Sequence, residues 1–180
     1  MLVRIANLLI EVSFGLVIFV LLLRFWMQVL RAPFRNPIGQ FVTALSNWIV
    51  LPARRVIPGL LGLDLATLIV AWLGEVLKLV LLSLVHGMSF ESMSATWIAL
   101  IFGLGLVELA RLSLFMLIGV IIVDVAIGWV NPEAPIGPIF RALTRPFYKP
   151  FRRLIPPVGG VDLSPLFVVV IAQILLFILD

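Results

Sequence analysis

The chain contains no cysteine. That excludes disulfides, thiolate metal ligation and covalent haem attachment through cysteine. Histidine is nearly absent too: His86 stands alone, so a transition-metal site lacks its usual donor set. Neither G-x-x-x-x-G-K-[ST] nor G-x-G-x-x-G occurs, which leaves no phosphate-binding loop. Ser83 and His86 lie three residues apart, but no nucleophile motif or third member accompanies them, and no enzymatic activity is expected. No cofactor is implied. Charge is also scarce, at 12% of the 180 residues, where soluble domains carry about 25%.

What is abundant is apolar residue. The chain is 63% hydrophobic, its mean hydropathy is +1.25, and the apolar residues come in long blocks. A membrane-crossing helix needs roughly 20 such residues. Four stretches supply them, at about residues 5–30, 60–85, 112–130 and 163–179, and no large soluble domain is left over. The first stretch is longer than a signal-peptide core and no A-x-A pattern follows it, so it reads as a retained helix.

The net charge of +4 is unevenly placed. Nine of the 13 Lys and Arg residues fall in two segments: Arg31, Arg35, Arg54 and Arg55, then Arg141, Arg145, Lys149, Arg152 and Arg153. Basic residues accumulate in cytoplasmic loops, so both segments are expected inside and residues 86–95 and the termini outside. Arg4 argues weakly the other way. The expected contacts are anionic lipid headgroups at the cytoplasmic face, with no nucleic acid implied.

Those two segments are copies of one another. Residues 37–65 and 135–163 align at a constant offset of 98 without a gap, and 13 of 29 positions are identical. Shared residues include Pro37-Ile-Gly and Pro135-Ile-Gly, Arg54-Arg55 and Arg152-Arg153, and Gly62-x-Asp64 and Gly160-x-Asp162.

Within the first copy, Ile38, Phe41, Val42, Leu45, Trp48 and Ile49 share one helical face, and Gln40, Thr43, Ser46 and Asn47 take the other. The second copy sets Ile136, Ile139, Phe140, Leu143 and Phe147 against Arg141, Thr144 and Arg145. Both helices are too short to cross the bilayer and are expected in its cytoplasmic interface with the apolar face in lipid or against the bundle, covering the bundle or presenting a partner-binding face. Pro52 and Pro58, six residues apart, are expected to prevent a continuous helix there. Asp64 and Asp162 stand where N-caps belong, with the nearby arginine pairs as a second set of partners.

A few polar residues fall inside the apolar stretches. Asp64, Ala71, Glu75, Lys78 and Leu82 lie within about 60° of each other at 100° per residue. Glu75 and Lys78 suit either a self-neutralised structural pair or, with Asp64, a polar path for a cation or proton. The second copy has Gln173 and Leu176 at the positions of Glu75 and Lys78, so the stripe belongs to one copy. Arg24 and Asp124 lie at similar depth and suit an ion pair between helices; Glu108 and Arg111 suit another pair.

Asn36-Pro-Ile-Gly39, then Pro52-x-Arg-Arg-x-Ile-Pro58, then Gly62-x-Asp64, resembles the YggT/YlmG family of small integral membrane proteins. The second copy, from Pro135-Ile-Gly through Pro150-x-Arg-Arg-x-Ile-Pro156 to Gly160-Val-Asp-Leu-Ser-Pro165, resembles it more closely. It departs in having Ala134 where the first copy has Asn36, and Asn131 stands ready for a similar loop role. The resemblance covers nearly the whole chain, with residues 86–110 the least diagnostic. It implies an inner-membrane protein without known enzymatic activity. Family members have been linked to osmotic stress and potassium handling and to division-associated gene neighbourhoods. Plastid relatives have been linked to nucleoid distribution and cytochrome b haem assembly.

The expected architecture is therefore an all-α membrane protein with about four transmembrane helices in two tandem parallel repeats, each helix–amphipathic interfacial segment–helix. The first repeat takes residues 1–85, an external connector or helix extension 86–110, and the second repeat 111–180. Arg54, Arg55, Arg141, Arg145, Lys149, Arg152 and Arg153 are the candidate contacts for lipid, a protein partner or a second copy of the chain. A bacterial inner-membrane scaffold or assembly factor is the expected role, and a small ion channel, transporter or channel regulator the alternative.

Overall fold

A computed structural model describes residues 1–59, 62–89, 94–154 and 162–180. Ile155, Pro156 and Gly160 of the second copy, and Glu91, lie outside the described residues. The described chain forms six helices: α1 (Leu2–Val29), α2 (Pro37–Val56), α3 (Leu65–Val85), α4 (Ala95–Val130), α5 (Gly137–Leu154) and α6 (Ser164–Ile178). Two compact units emerge, one of Met1–Phe25 and Val42–Ala110, the other of Trp26–Phe41 and Arg111–Asp180.

Among the described residues three helices, α1, α3 and α4, are long and apolar enough to cross a membrane. The fourth expected span, α6, is apolar but has 15 residues. At 1.5 Å per residue it measures about 22 Å, short of a hydrocarbon core of about 30 Å. Residues 95–130 form one uninterrupted helix of 36 residues, with Glu108 and Arg111 inside it.

The turn after α1 is built by local chemistry. Ala32 N–H reaches Met27 O at 2.8 Å and Arg31 N–H reaches Gln28 O at 3.2 Å, with Arg31 at φ 53°. This is the left-handed C-terminal closure that satisfies the last carbonyls of a helix. Asn36 then opens α2. Its Oδ1 accepts from Gly39 N at 2.8 Å, its Nδ2 donates to Pro33 O, and Pro37 fills the first helical position, where no N–H is needed. At Gly39 a Cβ would stand 2.7 Å from Phe34 Cα, so the fold-back requires glycine.

The prolines do not end these helices as expected. α2 continues through Pro52 to Val56, and α5 continues through Pro146 and Pro150 to Leu154. Proline removes one backbone donor and crowds the carbonyl four residues back. Both helices absorb this where one side is exposed: Trp48, Leu51 and Pro52 are exposed on α2, and Arg145, Pro146, Lys149 and Pro150 on α5.

The faces of α2 also depart from the simple apolar-in pattern. Val42, Ser46 and Val50 are buried, while Phe41, Leu45 and Trp48 are exposed. The inward hydroxyl of Ser46 has polar partners there, accepting from Arg24 Nη1 and donating to the Val42 carbonyl.

In the first unit, α1 contributes Ile18, Leu21 and Leu22 to the core, and α3 contributes Ala66, Ala71 and Val76. Trp72 of α3 meets Phe102 of α4 edge-on at 5.4 Å and donates Nε1–H to Phe102 O at 3.0 Å. The second unit centres on Ile121, Tyr148 and Val168, with Phe147 and Phe151 packed around them. There Trp26 meets Phe147 edge-on at 6.3 Å, and Phe151 stacks on Phe167 at 6.1 Å.

Candidate functional site

Each copy of the repeated segment closes with an arginine–aspartate clasp. In the first, Arg54 Nε donates to Asp64 Oδ1 at 3.2 Å and Nη2 to Oδ2 at 2.5 Å. In the second, Arg152 Nε and Nη2 both reach Asp162 Oδ2 at 2.7 Å. The two pairs stand at the same positions of the two copies, and each spans ten residues. A fork of guanidinium donors on a carboxylate fixes orientation as well as distance.

The aspartates differ in how they meet the next helix. Asp64 is the N-cap of α3. It accepts Thr67 N–H at 3.4 Å and the Thr67 hydroxyl at 2.5 Å, so the capping and ion-pair roles hold together. Asp162 lies one residue before the N-cap of α6, which is Leu163, and accepts Ser164 N–H at 2.9 Å. The expected N-cap at Asp162 is thus displaced by one. The position of Thr67 is taken by Pro165, which has neither the N–H nor the hydroxyl that Asp64 uses.

Electrostatics follow burial. The Asp64 side chain is 4% exposed and that of Asp162 is 35% exposed. Burial works to raise the Asp64 carboxyl. Hydrogen bonds from Arg54 and Thr67 and the Arg54 charge outweigh it and hold the group below the ordinary aspartate value. Asp162 is also held low: burial opposes, but Ser164 and Arg152 prevail. Arg152 additionally lies 5.3 Å from the centre of the Tyr148 ring, a cation–π contact. Burial pushes the Tyr148 hydroxyl up, and the charge of Asp124 pushes the same way.

The second arginine of each pair is different. Arg55 and Arg153 are exposed and form no ion pair among the described residues. Arg145 and Lys149 are exposed on α5, as is Arg141, whose Nη1 donates to Pro132 O at 3.3 Å. The seven basic candidates therefore divide into two that hold the fold together and five that face outward.

Sequence reasoning missed a second tier of contacts. Arg24, 5% exposed, donates from Nη1 to Ser46 Oγ at 2.6 Å and to Asn47 Oδ1 at 2.9 Å. Asp124 Oδ2 accepts the Thr144 hydroxyl at 2.8 Å. Arg24 and Asp124, expected to seek each other, are each held by a hydroxyl inside their own unit. Ser46 and Thr144 are related by the same 98-residue offset, so a Ser/Thr pair at matched positions was the available signal.

The stripe on α3 faces inward. Asp64, Thr67, Ala71 and Glu75 are all buried, and Lys78 Nζ forms an ion pair with Glu75 Oε2. Arg111 pairs with Asp180. Among the described residues no cluster of three His, Cys, Asp or Glu side chains is placed to hold a metal ion.

The CCB3/YggT family model matches residues 3–85 and again residues 103–180. An uncharacterised protein encoded in the proC 3′ region of Vibrio alginolyticus is 38% identical over 159 residues, covering 88% of this chain and 84% of that protein. The uncharacterised protein YggT of Escherichia coli strain K12 is 34% identical over 157 residues, covering 87% of this chain and 79% of its own length. An uncharacterised protein of Haemophilus influenzae is 28% identical over 160 residues, covering 88% and 81%. No solved structure matches the chain.

Proposed function

The chain belongs to the CCB3/YggT family, and from that premise we propose that it is a non-enzymatic inner-membrane scaffold with two tandem repeats. In this reading α6 is the fourth span, both repeats face the same way, and α2 and α5 lie in the cytoplasmic interface. Each would be a basic platform for a protein partner or for anionic headgroups, serving membrane or division organisation or the response to osmotic stress.

The observation that carries the reading is the repeated clasp. Arg54–Asp64 and Arg152–Asp162 tie each platform to the helix that follows. One arginine of each pair is consumed in this way, and its neighbour is left exposed with no ion pair among the described residues. A clasped helix presenting fixed positive charge suits recruitment, since the ordering entropy is already paid before a partner arrives.

The test is crosslinking with mass spectrometry on native membranes. Wild-type protein is expected to capture a defined cytoplasmic-side partner. R55Q together with R153Q, R141Q, R145Q and K149Q should abolish capture while membrane insertion is kept. Unchanged capture would sink the proposal.

One observation favours a second reading: Glu75 is buried beside Lys78 within a spanning helix, where ionisable groups commonly mark an ion route. Ion flux through proteoliposomes that disappears in E75Q would support it, and absence of flux under any imposed gradient would count against it.

A further inference from the structure

The first unit carries an apolar groove of about 520 Å³. Phe14, Ile18 and Leu21 of α1, Trp48 and Ala53 of α2, and Gly74 of α3 shape it, and among the described residues Ser13 supplies the one hydroxyl of its lining. Its volume lies within the ~300–1,000 Å³ of small-ligand clefts. From Leu21 to Ser13 it runs eight residues along α1, about 12 Å by helical rise. It is flanked by residues exposed on the helix surfaces, Trp48 at 66% and Leu73 at 46%. Beside membrane-crossing helices, such a surface meets hydrocarbon rather than water.

The groove belongs to one copy of the repeat. Where the first copy has Ala53, the second has Phe151, and Phe151 stacks on Phe167 and packs against the Ile121–Tyr148–Val168 core. Where the first has Gly74, the second has Ala172. The position held by a methyl group at the groove of one copy thus carries an aromatic ring in the other.

Charge stands beside the α2 residues of the groove. Arg55 follows Ala53 by two residues and Trp48 by seven, and seven residues return within about 20° on a helix. Arg55 therefore shares the edge of α2 that Trp48 presents. Arg54, turned 100° away, is spent on Asp64. Arg55 is exposed and has no ion pair among the described residues.

We infer that the groove seats one acyl chain of an anionic phospholipid whose headgroup rests on Arg55. The inference rests on the proposed placement of α2 at the membrane surface and names the lipid class that platform selects. Apolar walls accept the chain by burying its methylenes, and the unneutralised guanidinium chooses an anionic phosphate over a zwitterionic head. The second copy, with Phe151 in place of Ala53, holds no such lipid.

Native mass spectrometry of the full chain in detergent, titrated with phosphatidylglycerol or phosphatidylcholine of identical chains, tests this. Wild type is expected to retain one lipid per chain, with phosphatidylglycerol preferred. A53F installs the aromatic residue that the second copy already carries. It should lower retention of both lipids about tenfold, the cost of roughly two unburied methylenes. L73W, from the exposed wall, should do the same and guards against a folding defect in the first variant. R55Q should keep phosphatidylcholine binding and erode the phosphatidylglycerol preference about fivefold. Lipid retention unaffected by A53F and L73W would overturn the groove assignment and leave the partner platform standing. A preference unchanged by R55Q would overturn the headgroup assignment and leave the proposed surface placement of α2 standing. A dimer in place of a lipid adduct would overturn the inference in favour of a second copy as occupant.

Discussion

Ser46 and Thr144 occupy the same position in the two copies, yet Ser46 receives a hydrogen bond from Arg24 and Thr144 gives one to Asp124. A hydroxyl donates or accepts as required, so one position serves a cation in one half and an anion in the other. Replacing either by alanine strands part of a charged group. S46A is expected to cost about 1–3 kcal/mol, because Arg24 is almost fully buried and among the described residues keeps Asn47 as its one side-chain acceptor. T144A should cost less, since Asp124 is half-buried. S46T should behave as wild type. Chemical unfolding in detergent micelles, comparing the three variants, checks the order.

The two clasps should differ in strength. D64A removes an N-cap, a hydroxyl partner and a fork of arginine bonds around a nearly buried carboxylate, and is expected to cost about 2–4 kcal/mol. D162A removes a more exposed pair and should cost at most about 1 kcal/mol. Equal losses in thermal unfolding of the two variants would contradict the burial difference.

Acid should release both clasps in a predictable direction. Each aspartate is held below its ordinary value in the folded protein. The stabilisation is fully present above the unfolded value, about pH 4, and disappears as pH falls through the lower folded value. Stability is therefore expected to show no contribution from Asp64 to its slope between pH 7 and 5, and to decline below about pH 4. D64N should lose the Asp64 share of that decline and keep the share of Asp162, which a series of melting curves from pH 7 to 3 would reveal.

The Glu75–Lys78 pair gives a non-additive prediction. K78M alone leaves a carboxylate buried without its cation and should cost about 3–5 kcal/mol. Adding E75Q to K78M should recover most of that loss, since the remaining groups carry no charge. A double-mutant cycle measures the coupling.

G39A should be disruptive despite adding one methyl, because the new carbon would press on the Phe34 backbone rather than on a movable side chain. A loss of about 1–3 kcal/mol is expected, visible as reduced yield and melting temperature. G15A, with open space around it, is the matched control.

Much of this was legible in the chain. The apolar blocks announced α1 and α3, the 98-residue offset put Arg54 and Arg152 at matching positions, and Asp64 was readable as a cap. Other features were not. Pro52 suggested a broken helix, but proline's penalty is local and packing along the rest of α2 overrides it. The Asp162 cap moved because Pro165 cannot donate. Phe41, Val42 and Trp48 share a wide face, and only Val42, nearest the inward Ser46, is buried; periodicity alone does not say which edge of such a face meets the core. Arg24 and Asp124 look complementary in sequence, but sequence depth says nothing of the hydroxyls nearer to each.

The length of α4 has a consequence for the bilayer itself. Its 36 residues extend about 54 Å, against a hydrocarbon thickness near 30 Å. No upright placement matches the two, so the helix leans steeply, stands proud of the surface, or draws the surrounding lipids thicker. Each outcome ties the protein's energy to membrane thickness. A change in acyl-chain length or membrane tension would then be felt along the helix.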